Sequence, residues 1–244
     1  MAANTATAAT LQGATFTYFP MPGRGETVRL LLALGHVAFT DNRVPGKDWG
    51  ALKPSTPWGQ MPFLTLRDGR TLAQARAVAR FVAQHVGMYP ADFYQAARVD
   101  ELLDALEDIG GINGVGRGKE QAEKEADRLA AVSPGGKIHA LLTKIDAFIG
   151  EHGDGAGHSV GNALTVADVH VFSVTSNLGS GFFDGVPNTV TDSFKNIQRV
   201  RQNVSNTDEI LAWYAKAEAA GRSEFCRKIE ANFVAAKDID LSSL

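Results

Sequence analysis

Short runs of β-forming residues predict an open sheet in the first third of the chain. A helix with Val28, Leu31 and Leu32 on one side follows the first strand, and Arg67-Asp68-Gly69 has the composition of a hairpin turn. The predicted strands are 14–19, 37–44, 62–66 and 70–72, and the predicted helices are 24–35 and 74–85. This order, βαβ, a loop and then ββα within about 80 residues, is typical of a sheet covered by helices.

Beyond residues 87–92, which indicate a linker, the hydrophobic pattern is helical only. Thr165-Val166-Ala167-Asp168 predicts a helix start, because Thr165 can cap a free amide and the Asp168 carboxylate faces the N-terminal dipole. Later helices are expected near 190–203, 207–219 and 223–235. The predicted organisation is a disordered tail over 1–13, an α/β domain over 14–87 and an all-α domain over 93–244.

Composition narrows the class of protein. The chain has 244 residues, 44% hydrophobic and 21% charged, as in ordinary globular proteins. A net charge of −3 with dispersed Lys and Arg gives no reason to expect nucleic acid or an anionic membrane as a partner. Without a secretory signal pattern or an apolar span, a cytoplasmic location is expected. The single cysteine, Cys226, is expected to be a packed structural thiol.

Met61-Pro62 stands at the start of an apolar strand, where proline is unusual. A cis Met61–Pro62 bond would turn the Met61 amide and carbonyl outward, free to pair with an extended ligand. A plain loop proline is the alternative that spacing leaves open. The six histidines show no ligand spacing, and no Ser/His/Asp arrangement emerges, so neither a metal site nor a hydrolase triad is predicted.

Several motifs, taken in order, resemble those of the cytosolic glutathione S-transferases, most closely the sigma class. They are Tyr18-Phe19, Gly23-Arg24-Gly25-Glu26-Thr27-Val28-Arg29, Trp49 with Leu52-Lys53-Pro54, Gln60-Met61-Pro62, Arg98-Val99-Asp100 with Glu107-Asp108, and Val160-Gly161-Asn162-Ala163-Leu164-Thr165-Val166-Ala167-Asp168. The resemblance implies a thioredoxin-like domain that binds glutathione, followed by an all-α domain carrying the second-substrate pocket and the dimer contacts.

The same resemblance implies a role for each candidate site residue. Tyr18 would donate its hydroxyl to the glutathione sulfur and stabilise the thiolate, with Arg24 tuning the local field. The residues implied to hold the tripeptide are Trp49 and Lys53 at the glycine end, Gln60, Met61 and Pro62 along the cysteinyl portion, and Gln74 and Ala75 at the γ-glutamyl end. Asp108 would pair with the γ-glutamyl ammonium bound in the partner subunit.

Two of these roles have structural alternatives. Tyr18 could instead be a packed aromatic residue of the first strand. Arg24 could form a structural salt bridge with Glu26, or a dimer contact.

One position departs from the family pattern. The family usually has serine after the glutamine, and this chain has Ala75 after Gln74. The missing hydroxyl removes one hydrogen bond to an ionised group, worth about 1.5–3 kcal/mol, so weaker glutathione binding is expected. The Ala75 amide remains available, and Arg76 is a candidate replacement for the lost contact.

An acidic stripe and a glycine-rich segment follow each other in the helical half. The stripe consists of Asp100, Asp104, Glu107 and Asp108, and the glycines are Gly110, Gly111, Gly114, Gly116 and Gly118. A solvated or interface face is expected for the stripe, with a divalent ion at a dimer cleft as the alternative. The glycines occupy positions where sigma-class relatives place bulky groups, so an open pocket for an apolar second substrate is expected.

The resemblance thus implies a cytoplasmic, homodimeric detoxification enzyme that joins its co-substrate glutathione to hydrophobic electrophiles, without a metal and without nucleic-acid or membrane partners. Two alternatives remain. A prostaglandin D synthase-type isomerase is disfavoured by the glycines after Asp108. A non-catalytic relative, such as a lens crystallin or a scaffold domain of a translation factor, is slightly favoured by Ala75 but disfavoured by the intact pocket motifs.

Overall fold

The first third of the molecule contains a four-stranded mixed sheet. The computed structural model describes residues 9–219, 224–239 and 241, and the side chains of these residues except 217–219 and 224–228. The sheet order is β2-β1-β3-β4. The strands are β1 (Thr15–Tyr18), β2 (Thr40–Arg43), β3 (Phe63–Thr65) and β4 (Thr71–Ala73). β1 pairs parallel with β2 and antiparallel with β3, which places fully buried Phe16 opposite fully buried Leu64.

Helices cover this sheet and form most of the remaining described chain. They are α1 (Glu26–Leu34), α2 (Gly46–Leu52), α3 (Ala75–Val86), α4 (Phe93–Glu107), α5 (Gln121–Val132), α6 (Lys137–His152), α7 (Val166–Leu178), α8 (Lys195–Ser205), α9 (Asp208–Ala219) and α10 (Glu224–Ala235). The predicted fold class, a thioredoxin-like α/β unit followed by an all-α unit, is confirmed.

Helix α1 joins the two halves of the molecule. Val28, Leu31 and Leu32 are all fully buried, as the pattern predicted. The helix contacts α3 within the sheet half, and it also contacts α7 and α9 of the helical half. Because α1 directly follows the loop after β1, residues of that loop lie where the two halves meet.

Two helix starts show how local sequence sets the geometry of the helical half. At the first, Asp92 caps α4 by accepting a hydrogen bond from the Gln95 amide at 2.9 Å. At the second, Thr165 and Asp168 form the predicted capping box of α7, and the Asp168 carboxylate accepts from the Thr165 amide at 2.7 Å and also from the amide of Ser159. Burial raises the pKa of Asp168, while these hydrogen bonds oppose the rise.

Three sequence expectations need correction. Residues 9–13 form turns in which Leu11 is fully buried, so the predicted disordered tail is wrong for that segment; residues 1–8 lie outside the described residues. The expected loop before β3 contains α2 and two short 3-10 turns, with prolines at first-turn positions that need no amide donor. The second strand is shorter than expected, Thr40–Arg43 in place of 37–44.

Two further expectations concern the single cysteine and a membrane-spanning helix. The packing expected for Cys226 falls on a side chain outside the described residues. Over the ranges that are described, no helix combines the length and the apolar character needed to span a bilayer.

Candidate active site

Tyr18 ends β1 and is packed against the glycines that follow it. Its side chain is only 7% exposed. A Cβ atom on Gly25 would lie 2.5 Å from Tyr18 Cδ1, and Gly23 adopts φ +44°, a conformation that favours glycine. The Arg24 backbone N–H, between the two glycines, donates to the Tyr18 hydroxyl at 3.2 Å. The phenol ring therefore leaves no room for a side chain at Gly25, and the backbone conformation favours glycine at Gly23.

The Tyr18 hydroxyl retains a hydrogen that it can donate. It accepts one hydrogen bond from Arg24, and no acceptor for its own proton occurs among the described residues. Burial raises the pKa of Tyr18; the Arg24 N–H and the charges of Arg24 and Arg29 oppose this rise. The phenol is therefore protonated at neutral pH and can donate to a ligand atom.

A fully buried guanidinium, that of Arg29, holds the segment after Tyr18. Its Nη1 donates to the Met21 carbonyl at 2.7 Å, and its Nη2 donates to the Phe19 carbonyl at 3.0 Å. The Arg29 Cζ lies 5.6 Å from the ring centroid of Phe16 and 5.7 Å from that of Tyr18. One side chain thus orients both the phenol and the loop beside it.

Two carboxylates neutralise this buried charge. Arg29 Nε donates to Asp41 Oδ1 at 3.0 Å, and Nη1 reaches Glu26 Oε2 at 3.3 Å. Glu26 Oε1 in turn accepts from Trp213 Nε1 at 3.2 Å and from the Tyr214 hydroxyl at 3.0 Å, both on α9. The sequence analysis did not predict this network. The one available signal was the i, i+3 spacing of Glu26 and Arg29, which favours an ion pair on a helix.

A cavity of about 260 Å³ brings together eight of the candidate site residues, seven of them expected to bind glutathione. They are Arg24, Trp49, Lys53, Gln60, Met61, Pro62, Gln74 and Ala75. The Met61–Pro62 peptide bond is cis, one of the two alternatives that the sequence left open. Phe19 also lines the cavity, and its ring contacts that of Trp49 edge-on at 5.8 Å and that of Tyr18 at 5.4 Å.

The N-terminus of α3 opens onto this cavity. Gln74 precedes the helix with φ +72°, uncommon for a residue with a side chain, and its Nε2 donates to Gln60 Oε1 at 3.1 Å. Gln74 provides no side-chain cap for the helix. The first backbone amides of α3, beginning with that of Ala75, therefore have no hydrogen-bond acceptor within the helix. Such amides favour a carboxylate ligand.

A second, larger cavity of about 500 Å³ adjoins the first, since Phe19, Arg24 and Met61 line both. Tyr18 lies in its wall, and most of the other lining side chains are apolar, as in Met21, Leu106, Ile109, Phe182 and Phe183. Gly110, from the glycine segment, also lines it. His170 and Thr27 are polar members of this wall that sequence reasoning did not anticipate.

The acidic stripe is engaged by arginines of the sheet half. Arg80 pairs with Asp100 and with Asp104, the latter at 3.0 Å. Arg76 lies 3.4 Å from Asp104 and 3.8 Å from Glu107. The stripe is thus partly solvated, as in Asp104, and contacts the sheet half through Arg76 and Arg80, within the solvated or interface face expected from sequence.

Two candidate site residues, Arg24 and Asp108, have surroundings that the sequence did not predict. Arg24 pairs with Glu107 at 2.8 Å, so the alternative of a salt bridge with Glu26 is wrong; Glu26 pairs with Arg29. Asp108 is exposed, begins a 3-10 turn after α4, and lines neither cavity. Within the described part of the chain, no cluster of His, Cys, Asp or Glu could hold a metal ion.

A thioredoxin-like sheet with a cis-proline, a buried tyrosine at the end of β1 and a helical half beside it define the glutathione-transferase class of fold. Residues 115–217 match the family model "Glutathione S-transferase, C-terminal domain". Probable glutathione S-transferase 7 of Caenorhabditis elegans is 31% identical over 201 residues, covering 81% of this chain and 93% of the relative. The chain therefore belongs to the glutathione S-transferase family, a family of transferases that use glutathione as co-substrate.

Two further similarities are to a named synthase and to a solved transferase structure. The hematopoietic prostaglandin D synthase of Gallus gallus is 28% identical over 202 residues, covering 82% of this chain and 94% of that protein. The solved structure of a monomeric glutathione S-transferase from the hookworm Necator americanus matches with a TM-score of 0.71 and 25% identity. That match covers 87% of this chain and 100% of the hookworm chain.

We predict that Arg29→Met lowers the free energy of unfolding by about 3–5 kcal/mol, because it leaves the buried Glu26 carboxylate without its cation. Asp41 also loses Arg29, but it keeps its ion pair with Arg43 at 2.7 Å. Urea unfolding of the purified variant measures the change. Replacing the exposed Arg67 with Met is the matched control, expected to change stability by less than about 0.5 kcal/mol.

The double variant Arg29→Met, Glu26→Gln separates the effect of charge from that of packing. Because it removes the uncompensated charge, it should recover part of the lost stability. An Arg29→Met protein within about 1 kcal/mol of the wild type would show that the network does not hold the site.

Proposed function

We propose that this protein conjugates the thiolate of glutathione to apolar electrophiles, a detoxification reaction carried out in the cytoplasm. The observation that supports this most directly is the Tyr18 hydroxyl, a neutral donor with a free proton in the wall of the larger cavity. A smaller cavity with polar and apolar walls lies on one side for the tripeptide, and a larger, mostly apolar cavity for the electrophile lies on the other. Holding both reactants next to each other accelerates the reaction, because the two no longer have to meet by diffusion.

Tyr18 is the proposed catalytic residue. Its hydroxyl donates to the glutathione sulfur, and this hydrogen bond favours thiolate over thiol. A drop of about two units from an ordinary thiol pKa near 8.5 corresponds to about 2.7 kcal/mol. The thiolate is the attacking species, so more of it at neutral pH accelerates the reaction. Arg24 contributes positive charge nearby, although its pairing with Glu107 partly offsets that charge.

Residues 14–87 are proposed as the glutathione-binding domain. Lys53 pairs with the glycine carboxylate beside Trp49, and Gln60 and Met61 bind the cysteinyl portion next to Pro62. Gln74 and the amide of Ala75 bind the γ-glutamyl end. The support for this assignment is that all of these residues line one cavity and that Ala75 stands at an uncapped helix start.

Residues 93–244 are proposed to carry most of the second-substrate pocket and the contacts of a homodimer. Asp108 lines neither cavity of its own chain, so its carboxylate can serve glutathione only in a partner subunit. Trp58, 80% exposed beside the glutathione cavity, offers apolar area to such a partner.

The dimer proposal predicts that light scattering of the purified protein gives twice the mass of the chain, and that Asp108→Asn weakens glutathione binding. A monomer with full activity and an Asp108→Asn variant with unchanged binding would contradict the cross-subunit role.

A glutathione-dependent prostaglandin D synthase-type isomerase is the second candidate, favoured by the similarity to the Gallus gallus enzyme. Gly110 disfavours it, because this residue lines the larger cavity without a side chain and a Cβ atom there would meet nothing within 4 Å. Turnover of a prostaglandin endoperoxide, compared with turnover of a generic aryl halide, distinguishes the two functions. A purely structural role would show neither activity, nor retention on immobilised glutathione.

We predict that Tyr18→Phe lowers kcat for conjugation about 10- to 100-fold, because the variant loses the donor to the sulfur. Glutathione affinity should stay nearly unchanged, since the tripeptide is held elsewhere. Tyr89→Phe, at a tyrosine that donates to Asp100 and lines neither cavity, is the matched control. Full activity in Tyr18→Phe would remove this residue from the mechanism.

We predict that Ala75→Ser tightens glutathione binding about 10- to 100-fold, by restoring one hydrogen bond to an ionised group. Arg76 is held by Asp104 and Glu107 and does not replace that contact. Calorimetric titration measures the change, with the exposed α4 residue Ala97 replaced by serine as control. Equal affinity in the wild type and Ala75→Ser would show that the missing hydroxyl has no effect.

A further inference from the structure

Two side chains in the wall of the larger cavity have a buried polar atom without a hydrogen-bond partner among the described residues, His170 at Nε2 and Asn177 at Oδ1. His170, on α7, is 8% exposed and lies within a mostly apolar wall. Its Nδ1 is 2.9 Å from the Thr27 hydroxyl, which belongs to the same wall. Its Nε2 is buried, and no hydrogen-bond partner for it occurs among the described residues. An unsatisfied buried nitrogen is uncommon in a folded protein and calls for an explanation.

The Thr27 hydroxyl determines which ring nitrogen carries the proton. The Thr27 hydrogen has one acceptor among the described residues, His170 Nδ1. If Nδ1 carried the proton instead, both the hydroxyl hydrogen and the Nε2 lone pair would be buried without partners. Burial, with the charges of Arg76 and Arg80, lowers the pKa of His170 to about 4, so the ring is neutral at pH 7. The stable tautomer therefore has its hydrogen on Nε2.

We propose that His170 Nε2–H donates a hydrogen bond to a carbonyl oxygen of the second substrate, and that the enzyme therefore favours α,β-unsaturated carbonyl compounds. This inference rests on the proposed function, because it assigns a substrate class to the same pocket. Nε2 is covered in the structure, so a neighbouring wall side chain changes rotamer when the substrate binds. The partly exposed Val174, one helical turn along α7, is in position to do so.

The chemistry of conjugate addition explains why this donor selects such substrates. The glutathione thiolate forms a carbon–sulfur bond at the β-carbon, and the alkene π electrons move toward the carbonyl, giving an enolate. The enolate oxygen gains negative charge in the transition state, where the Nε2–H bond strengthens. Water then supplies a proton to the α-carbon, and no group leaves. An alkyl halide develops no charge on an oxygen and gains nothing from this donor.

The kinetic test compares two electrophiles, 4-phenylbut-3-en-2-one and benzyl chloride. His170→Met should lower kcat/KM for the enone by about 10-fold or more, and change it for benzyl chloride by less than about threefold. His170→Gln, which keeps an N–H near the position of Nε2, should restore part of the enone activity. Thr27→Val should lower the enone-to-halide ratio, and Thr27→Ser should keep it. Parallel losses on both electrophiles, or no loss on either, would overturn the proposal.

A second readout does not depend on turnover. Nitrogen NMR of the ¹⁵N-histidine-labelled protein at pH 7 should show His170 protonated at Nε2. The unreactive ketone 4-phenylbutan-2-one should shift that signal and bind more tightly than butylbenzene, and His170→Met should abolish the preference. An Nδ1–H tautomer, or equal binding of ketone and hydrocarbon, would contradict the inference. If the wild type turned over neither electrophile while this preference held, the proposed function would fail and the His170 contact would stand.

Discussion

The active site depends on one buried charge, the guanidinium of Arg29. A cation that is fully removed from water is tolerated only when carboxylates and carbonyls surround it. Glu26, Asp41 and the carbonyls of Phe19 and Met21 supply those partners, and they come from α1, from β2 and from the loop after β1. A displacement of that loop would remove two carbonyl acceptors from the buried guanidinium, so these hydrogen bonds fix the loop on which the chemistry depends.

The same network links the two halves of the molecule. Glu26 accepts hydrogen bonds from Trp213 and Tyr214 on α9 while it neutralises Arg29. On the other side of the interface, Arg80 pairs with the acidic residues of α4. The larger cavity has walls from both halves, and its shape is therefore held by ionic contacts as well as by apolar packing.

Much of the fold could be predicted from the sequence because the signals were local. The Thr165–Asp168 capping box and the hairpin around Asp68 lie within a few residues of their partners. The cavity that collects Gln60, Met61 and Gln74 followed from motif order. Long-range contacts were not predictable in this way. Asp41 reaches Arg29 only because β2 pairs with β1, and Thr27 meets His170 across 143 positions of sequence. The short helix Gly46–Leu52 has a weak apolar pattern and no buried residue, so periodicity gave no signal for it.

The central claim is that a neutral, buried phenol makes the bound sulfur an anion near neutrality. Ultraviolet titration of the thiolate in the glutathione complex measures this directly, with the Tyr18→Phe complex as reference. The account predicts a thiol pKa about two units below the ordinary value near 8.5 for the wild type, and a value near the ordinary one for the variant. A wild-type complex that ionises at the same pH as free glutathione would contradict it.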